Sequence, residues 1–240
     1  MISSKKTHLP LFFIFVYVLM QSAFSQLADT PVAMDKAPFH VPVFSNDYVT
    51  MLRINIPPGR DTGFHTHYFD SVSVNLSPAI RTNQFYESSE VVGPSASEPV
   101  PGRTAFNNVT ENGVYTHKAV NTGPTPFRST SFILKDRVGG GSEVSDRTDI
   151  SGYVEIIDNN KIRAWRVILA PGEEAGQLTQ LAPGLRVYVR GGVVDELVPG
   201  SAARGMAPYS GEFSWQDAGQ TRTVINTGST IVEFVEFEFK

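Results

Sequence analysis

Two short landmarks occur twice, in the same order, along the 240 residues, and this repetition constrains the fold more than any other feature. Ile56-Pro57-Pro58-Gly59 returns as Leu169-Ala170-Pro171-Gly172, and Val120-Asn121-Thr122-Gly123 returns as Ile225-Asn226-Thr227-Gly228. Around them lie short runs of Val, Ile, Phe and Tyr, broken by Gly, Pro, Asn and Asp, with no sustained helical period. Such runs read as strands. The pattern predicts strands over Tyr48 to Ile56, Ser71 to Leu76, Ile80 to Tyr86, Tyr115 to Val120 and Arg128 to Lys135, with a closing strand at Val235 to Lys240. Ser88 to Arg103 carries three prolines and reads as a long loop near a barrel mouth. Gly139-Gly140-Gly141-Ser142 reads as a boundary. The expectation is an all-β chain of two tandem barrels, residues 26–138 and 151–240, joined by 139–150.

The chemistry concentrates in the first copy. In Gly59-Arg60-Asp61-Thr62-Gly63-Phe64-His65-Thr66-His67-Tyr68-Phe69-Asp70 two histidines stand two apart. On a strand they share a face, about 7 Å apart at Cα, so both imidazoles can reach one ion. His117 lies in a second strand-like run, Tyr115 to Asn121. In the second copy Leu178, Gln180 and Arg222 stand where His65, His67 and His117 stand in the first, so the fold does not need these histidines for itself. Of the five histidines, three fall on these positions. His8 lies in the leader, and His40, before the first predicted strand, reads as structural.

Here the chain resembles the cupin superfamily, whose first motif is glycine, five residues, His-x-His, three or four residues and glutamate. Gly59 and His65-Thr66-His67 match its start, and His117-Lys118-Ala119-Val120-Asn121 matches the end of the second motif. Ser71 and Val72 stand where the family's glutamate would fall, and the nearest carboxylate is Asp70. The resemblance implies double-stranded β-helix (jelly-roll) barrels. It also implies a range of metal-dependent chemistry, including dioxygenases, isomerases, decarboxylases and lyases, beside non-catalytic binders.

Phase along the strand makes Asp70 the candidate fourth ligand. It alternates in step with Val72, Val74 and Leu76, which a barrel should turn inward. This requires a register change after His67, as a bulge would allow. The alternative is a solvent-facing turn aspartate. His65, His67, Asp70 and His117 would suit a divalent Fe, Mn, Ni, Zn or Cu ion, with coordination positions left for water or a small-molecule substrate. Tyr68, Tyr115 and Arg53 are candidates to support such a ligand, and Asn121, which recurs as Asn226, reads as a turn residue. Two functions stay open: a metal-dependent enzyme on a small oxygen-rich molecule, and a non-catalytic metal- and ligand-binding protein.

Composition narrows the setting. Lys5 and Lys6, the apolar run Leu9 to Met20 and Ala23-Phe24-Ser25 form a secretory signal pattern, too short to span a membrane, with cleavage after Ser25. The expected location is periplasmic or secreted, without a membrane anchor after cleavage. A net charge of −4 gives nucleic acid no basic surface, and the absence of cysteine excludes thiolate ligands. Self-association into a homo-oligomer stays open.

Overall fold

The computed structural model describes residues 30–78, 80–94 and 100–240, so the leader 1–25 lies outside the described residues. The N-terminal half folds into two facing sheets. One has the order β1 (Val32–Ala33), β4 (His65–His67), β9 (Tyr115–Asn121), β6 (Arg81–Phe85), β7 (Val91–Val92). The other runs β2 (His40–Ser45), β3 (Val49–Ile56), β10 (Phe127–Leu134), β5 (Ser71–Asn75), β8 (Thr104–Asn107). The C-terminal half repeats the plan. Its five-stranded sheet is ordered β11 (Tyr153–Asp158), β12 (Ile162–Leu169), β19 (Val232–Phe239), β14 (Gly184–Arg190), β17 (Phe213–Gln216). Its four-stranded sheet is ordered β13 (Glu174–Thr179), β18 (Thr221–Asn226), β15 (Val194–Leu197), β16 (Arg204–Met206). These are two tandem jelly-roll barrels.

Five of the six strands expected from sequence form within a residue or two of the expected bounds. The sixth, the expected closing strand, is longer: β19 starts at Val232 and lies in the middle of its sheet, buried along its whole length. Strand β2 escapes the pattern because it carries Pro42, tolerated there on a sheet edge. The turn landmarks repeat atom for atom. Asn121 Nδ2 donates to Ile56 O (2.9 Å) and Thr125 O (2.8 Å), and Asn226 Nδ2 donates to Leu169 O (2.9 Å) and Thr230 O (2.8 Å). Each amide oxygen accepts from the glycine two residues on, at 3.0 Å.

The largest apolar core lies between the barrels, not inside either. Val49, Met51, Val72, Val74, Leu76, Phe132 and Leu134 of the first pack with Leu185, Val187, Val235, Phe237 and Phe239 of the second. This reverses the expected orientation of β5. Val72 and Val74 point out of their barrel into the interface, while Ser71 and Ser73 line the cavity within. The rule that apolar residues face inward assumes water on the other face, and here a second barrel covers it. His65, His67, Ser71 and Ser73 therefore share one parity, and no register change is needed. The chain simply passes from one sheet to the other at Tyr68 to Asp70.

The second barrel fills the equivalent interior with charge. Arg147, Arg186 and Arg222 are buried there with Glu236 and Glu238. Arg186 Nε donates to Glu236 Oε1 at 2.7 Å and Arg147 Nη2 to Glu238 Oε1 at 2.8 Å, while Gln180 Oε1 accepts from Arg222 Nη2 at 2.9 Å. Arg147 belongs to the stretch 139–150 expected to link the barrels. Instead of running free, it threads its guanidinium inward over the Trp165 ring, 3.9 Å from the centroid.

Candidate metal centre

The site begins with turn chemistry. Gly59 and Gly63 have φ of +70° and +60°, the left-handed region that favours glycine, and Asp61 Oδ1 accepts from Gly63 N at 2.8 Å. That turn delivers the chain into β4, which pairs antiparallel with β9 so that His65 lies opposite His117 and His67 opposite Tyr115. Residues opposite one another in such a pair share a face. Three imidazoles thus converge, with a nitrogen from each within 4.8 Å of the others.

Metal–nitrogen bonds of about 2.0–2.1 Å at octahedral or tetrahedral angles hold donor atoms roughly 2.8–3.4 Å apart. His67 Nε2 and His117 Nε2 are 3.1 Å apart, inside that range. His65 Nδ1–H donates to Gly63 O at 3.2 Å, which leaves the Nε2 lone pair of that ring free. Burial first, then the neighbouring histidines and, for His67 and His117, Arg81, lowers the pKa values of His65 to about 3, His67 to about 4 and His117 to about 2. All three rings are neutral at pH 7, the form that ligates. The donor set fits a divalent transition-metal ion.

Asp70 is not brought to this group. It is buried, but its Oδ1 accepts from Thr110 N (2.7 Å) and its Oδ2 from Thr110 Oγ1 (2.9 Å) and Lys161 Nζ (2.6 Å), a lysine of the second barrel. Burial alone would raise its pKa; the hydrogen bonds from Lys161 and Thr110 outweigh it and hold the carboxyl below its ordinary value. The parity that takes Val72 and Val74 to the interface takes Asp70 there too. It stands neither at the metal group nor in solvent.

The supporting candidates divide. Tyr115 stacks on His67, with centroids 4.6 Å apart and planes 9° apart, and Asn107 Nδ2 donates to its hydroxyl at 2.8 Å. Tyr68 is 55% exposed and lies off the histidine cavity. Arg53 points away as well, its Nη2 donating to Tyr209 Oη of the second barrel at 3.3 Å.

The structure adds three residues to the cavity that the sequence did not assign to it. His40, read as structural, has its ring centroid 4.9 Å from that of His65, with Nδ1–H donating to Pro38 O at 3.0 Å. Asn107 places its amide nitrogen 3.2 Å from His67 Nδ1. Arg81 lies opposite Asn121 in the β6–β9 pair, hence on the face of His117. None carries a sequence signal, because only strand pairing brings them in. Together the histidines, Ser71, Ser73, Ser131, Tyr115, Phe106 and Phe127 enclose a cavity of about 230 Å³.

No family model and no curated protein matches the chain. Solved structures do. AerE from Microcystis aeruginosa matches at TM-score 0.55 and 11% identity, over 85% of this chain and 98% of its own. Salicylate 1,2-dioxygenase from Pseudoaminobacter salicylatoxidans, in adducts with gentisate, matches at TM-score 0.56 and 10% identity, over 92% and 79%. An oxalate decarboxylase matches at TM-score 0.53 and 10% identity, over 83% and 71%. At these identities the likeness concerns the fold. With its two tandem jelly-roll barrels, the chain has the fold of these solved structures.

Proposed function

We propose that the N-terminal barrel binds one divalent transition-metal ion through His65, His67 and His117 and acts as a metal-dependent enzyme of the oxygenase type on a small oxygen-rich molecule. The observation that carries this reading is the convergence of three neutral, inward-facing imidazoles on an accessible cavity, at separations one ion can bridge. When bound, such an ion supplies Lewis acidity and open positions for water or substrate. Nε2 of His67 would hold the ion, with Nδ1 of the same ring 3.2 Å from the Asn107 amide nitrogen. Tyr115 stacks on that ring.

The choice of oxygenase over isomerase or lyase follows from what the cavity lacks. Among the described residues no Asp or Glu lines it, and proton transfer by the protein needs a base of matched pKa. His40 is the free imidazole at hand, and burial lowers its pKa. The same absence favours the second reading, a non-catalytic metal- and ligand-binding protein. Metal analysis after reconstitution with Fe(II) under nitrogen, followed by oxygen-uptake measurements with a panel of small hydroxylated acids, separates them. Less than a tenth of an equivalent of metal sinks both; full occupancy without uptake leaves the second. Lys5, Lys6, the apolar run to Met20 and the Ala23-Phe24-Ser25 ending support export, tested by whether the exported protein begins at Gln26.

A further inference from the structure

The two barrels treat one end of their interior differently. Met34 and Arg147 hold equivalent places: Ala37 N donates to Met34 O and His40 N to Ala37 O, as Ile150 N donates to Arg147 O and Tyr153 N to Ile150 O. Ile133 lies opposite Thr50 as Glu238 lies opposite Arg163, and Ser131 holds the place of Glu236. In the second barrel the Arg147 guanidinium closes this end, buried between Glu236 and Glu238. In the first the matching residues are uncharged, and Ala33, Met34, Thr50, Tyr68, Phe69 and Ile133 line an open chamber of about 340 Å³. Of the charged residues in its walls, Asp35 pairs with Lys36 and the Lys135 ammonium donates to Ser45 Oγ at 2.8 Å, so neither asks for a charged occupant.

The chamber continues the histidine cavity. Side chains two apart on a strand share a face; on β10 Ser129 and Ser131 line the cavity and Ile133 the chamber, and on β3 Ile54 lines the cavity and Thr50 the chamber. Met34 and His67 stand in both linings, so the two spaces share a wall. Part of that wall is an unbranched thioether side chain, which adapts its shape to what lies against it. Tyr68 and Phe69 follow His67 directly and are more than half exposed, and adjacent apolar side chains left in water mark a surface that binding covers. We infer that the chamber takes the apolar body of the ligand whose oxygen-bearing head meets the metal. The substrate is then amphipathic, with its oxygens gathered at one end. The second barrel, closed at this place by Arg147, shows that the barrel plan does not itself require the space. The head of this ligand rests on the metal reading above; the chamber rests on its own walls.

The test is calorimetric titration of Zn(II)-loaded protein with acetohydroxamate, hexanohydroxamate and 6-aminohexanohydroxamate, with zinc content measured on every sample. The second probe adds four methylenes to the first, each worth roughly fourfold in affinity when fully buried. Hexanohydroxamate is expected to bind the parent at least tenfold more tightly than acetohydroxamate, and the amine-tipped probe to lose most of that gain. Ala33→Phe fills the chamber and is expected to bring the two alkyl probes within about threefold of each other, at unchanged zinc content and unchanged acetohydroxamate affinity. Thr50→Phe fills it from the facing sheet and serves if the first variant does not fold. A zinc-loaded parent that shows no gain with chain length, a gain that survives both variants, or an amine tip that keeps it overturns the inference and leaves the metal reading standing. If the protein takes up no zinc, the uncharged fluorescent probe N-phenyl-1-naphthylamine reads the chamber directly. Binding of that probe lost in Ala33→Phe sustains the apolar site while the metal reading falls; no binding sinks both.

Discussion

Asp70→Asn separates a ligand from a strut. The carboxylate is 1% exposed and accepts from Thr110 N, Thr110 Oγ1 and Lys161 Nζ, so it ties β5 to the short helix Val109–Asn112 and to the second barrel. Asparagine keeps the shape but loses the charge and turns one acceptor into a donor. Hydrogen bonds to charged groups are worth about 1.5–3 kcal/mol each, and removing one partner of a buried pair costs about 3–5 kcal/mol. Lys161 keeps 24% of its side chain exposed and can recover water, which places the cost near the lower end, about 2–3 kcal/mol. For a protein of this size that is roughly a 5–10 °C fall in melting temperature. The carboxyl's pKa is lowered in the folded state, so its contribution is present above the unfolded value near 3.8 and is lost as pH falls through the folded value. The gap between parent and variant should therefore hold at neutral pH and close in acid. Denaturation at several pH values, with metal content measured alongside, checks this. A folded Asp70→Asn protein of parental stability that binds metal ten times more weakly would refute the reasoning, because the carboxylate would then be reaching the ion.

Four further outcomes are expected. His65→Ala combined with His117→Ala should abolish stoichiometric metal uptake, read by elemental analysis, while the β-sheet circular dichroism stays. Chelation should leave that spectrum intact and lower the melting temperature, since a ligand at a hundredfold excess over Kd stabilises by about 2.7 kcal/mol; an unfolded chelated protein would contradict packing as the source of the fold. Glu236→Gln leaves Arg147, Arg186 and Arg222 short of one buried counter-charge and should cost about 3–5 kcal/mol in urea titration, with no effect on metal content. In the metal-free protein His65, His67 and His117 have folded pKa values of about 3, 4 and 2, below the ordinary 6.5; the stability that depends on their neutral form is complete above pH 6.5 and should decline as pH falls toward 4, a trend that denaturation midpoints would show or fail to show.

What the sequence determined by itself was whatever depends on short-range spacing. Strand runs, the paired Pro-Gly and Asn-x-Gly turns, the duplication and the His65-x-His67 pair with distant His117 are all local patterns, and strand geometry alone puts His65 and His67 on one face. What the tertiary structure decided was which face is inside. Alternation along β5 shows two kinds of side chain without saying where each points, and the second barrel makes the apolar side the interface. That one fact carries Asp70 to Lys161 instead of the histidines and brings Ser71 and Ser73 into the cavity. Arg81 and Asn107 join the site through pairings between strands far apart in the chain, and no spacing encodes such pairings; His40 joins it from the edge strand β2, paired in a hairpin with β3. The second copy shows the same division: the loss of its histidines is plain in the sequence, whereas the buried Arg147, Arg186, Arg222 and Glu236 cluster that replaces them assembles only when four separate segments close around one interior.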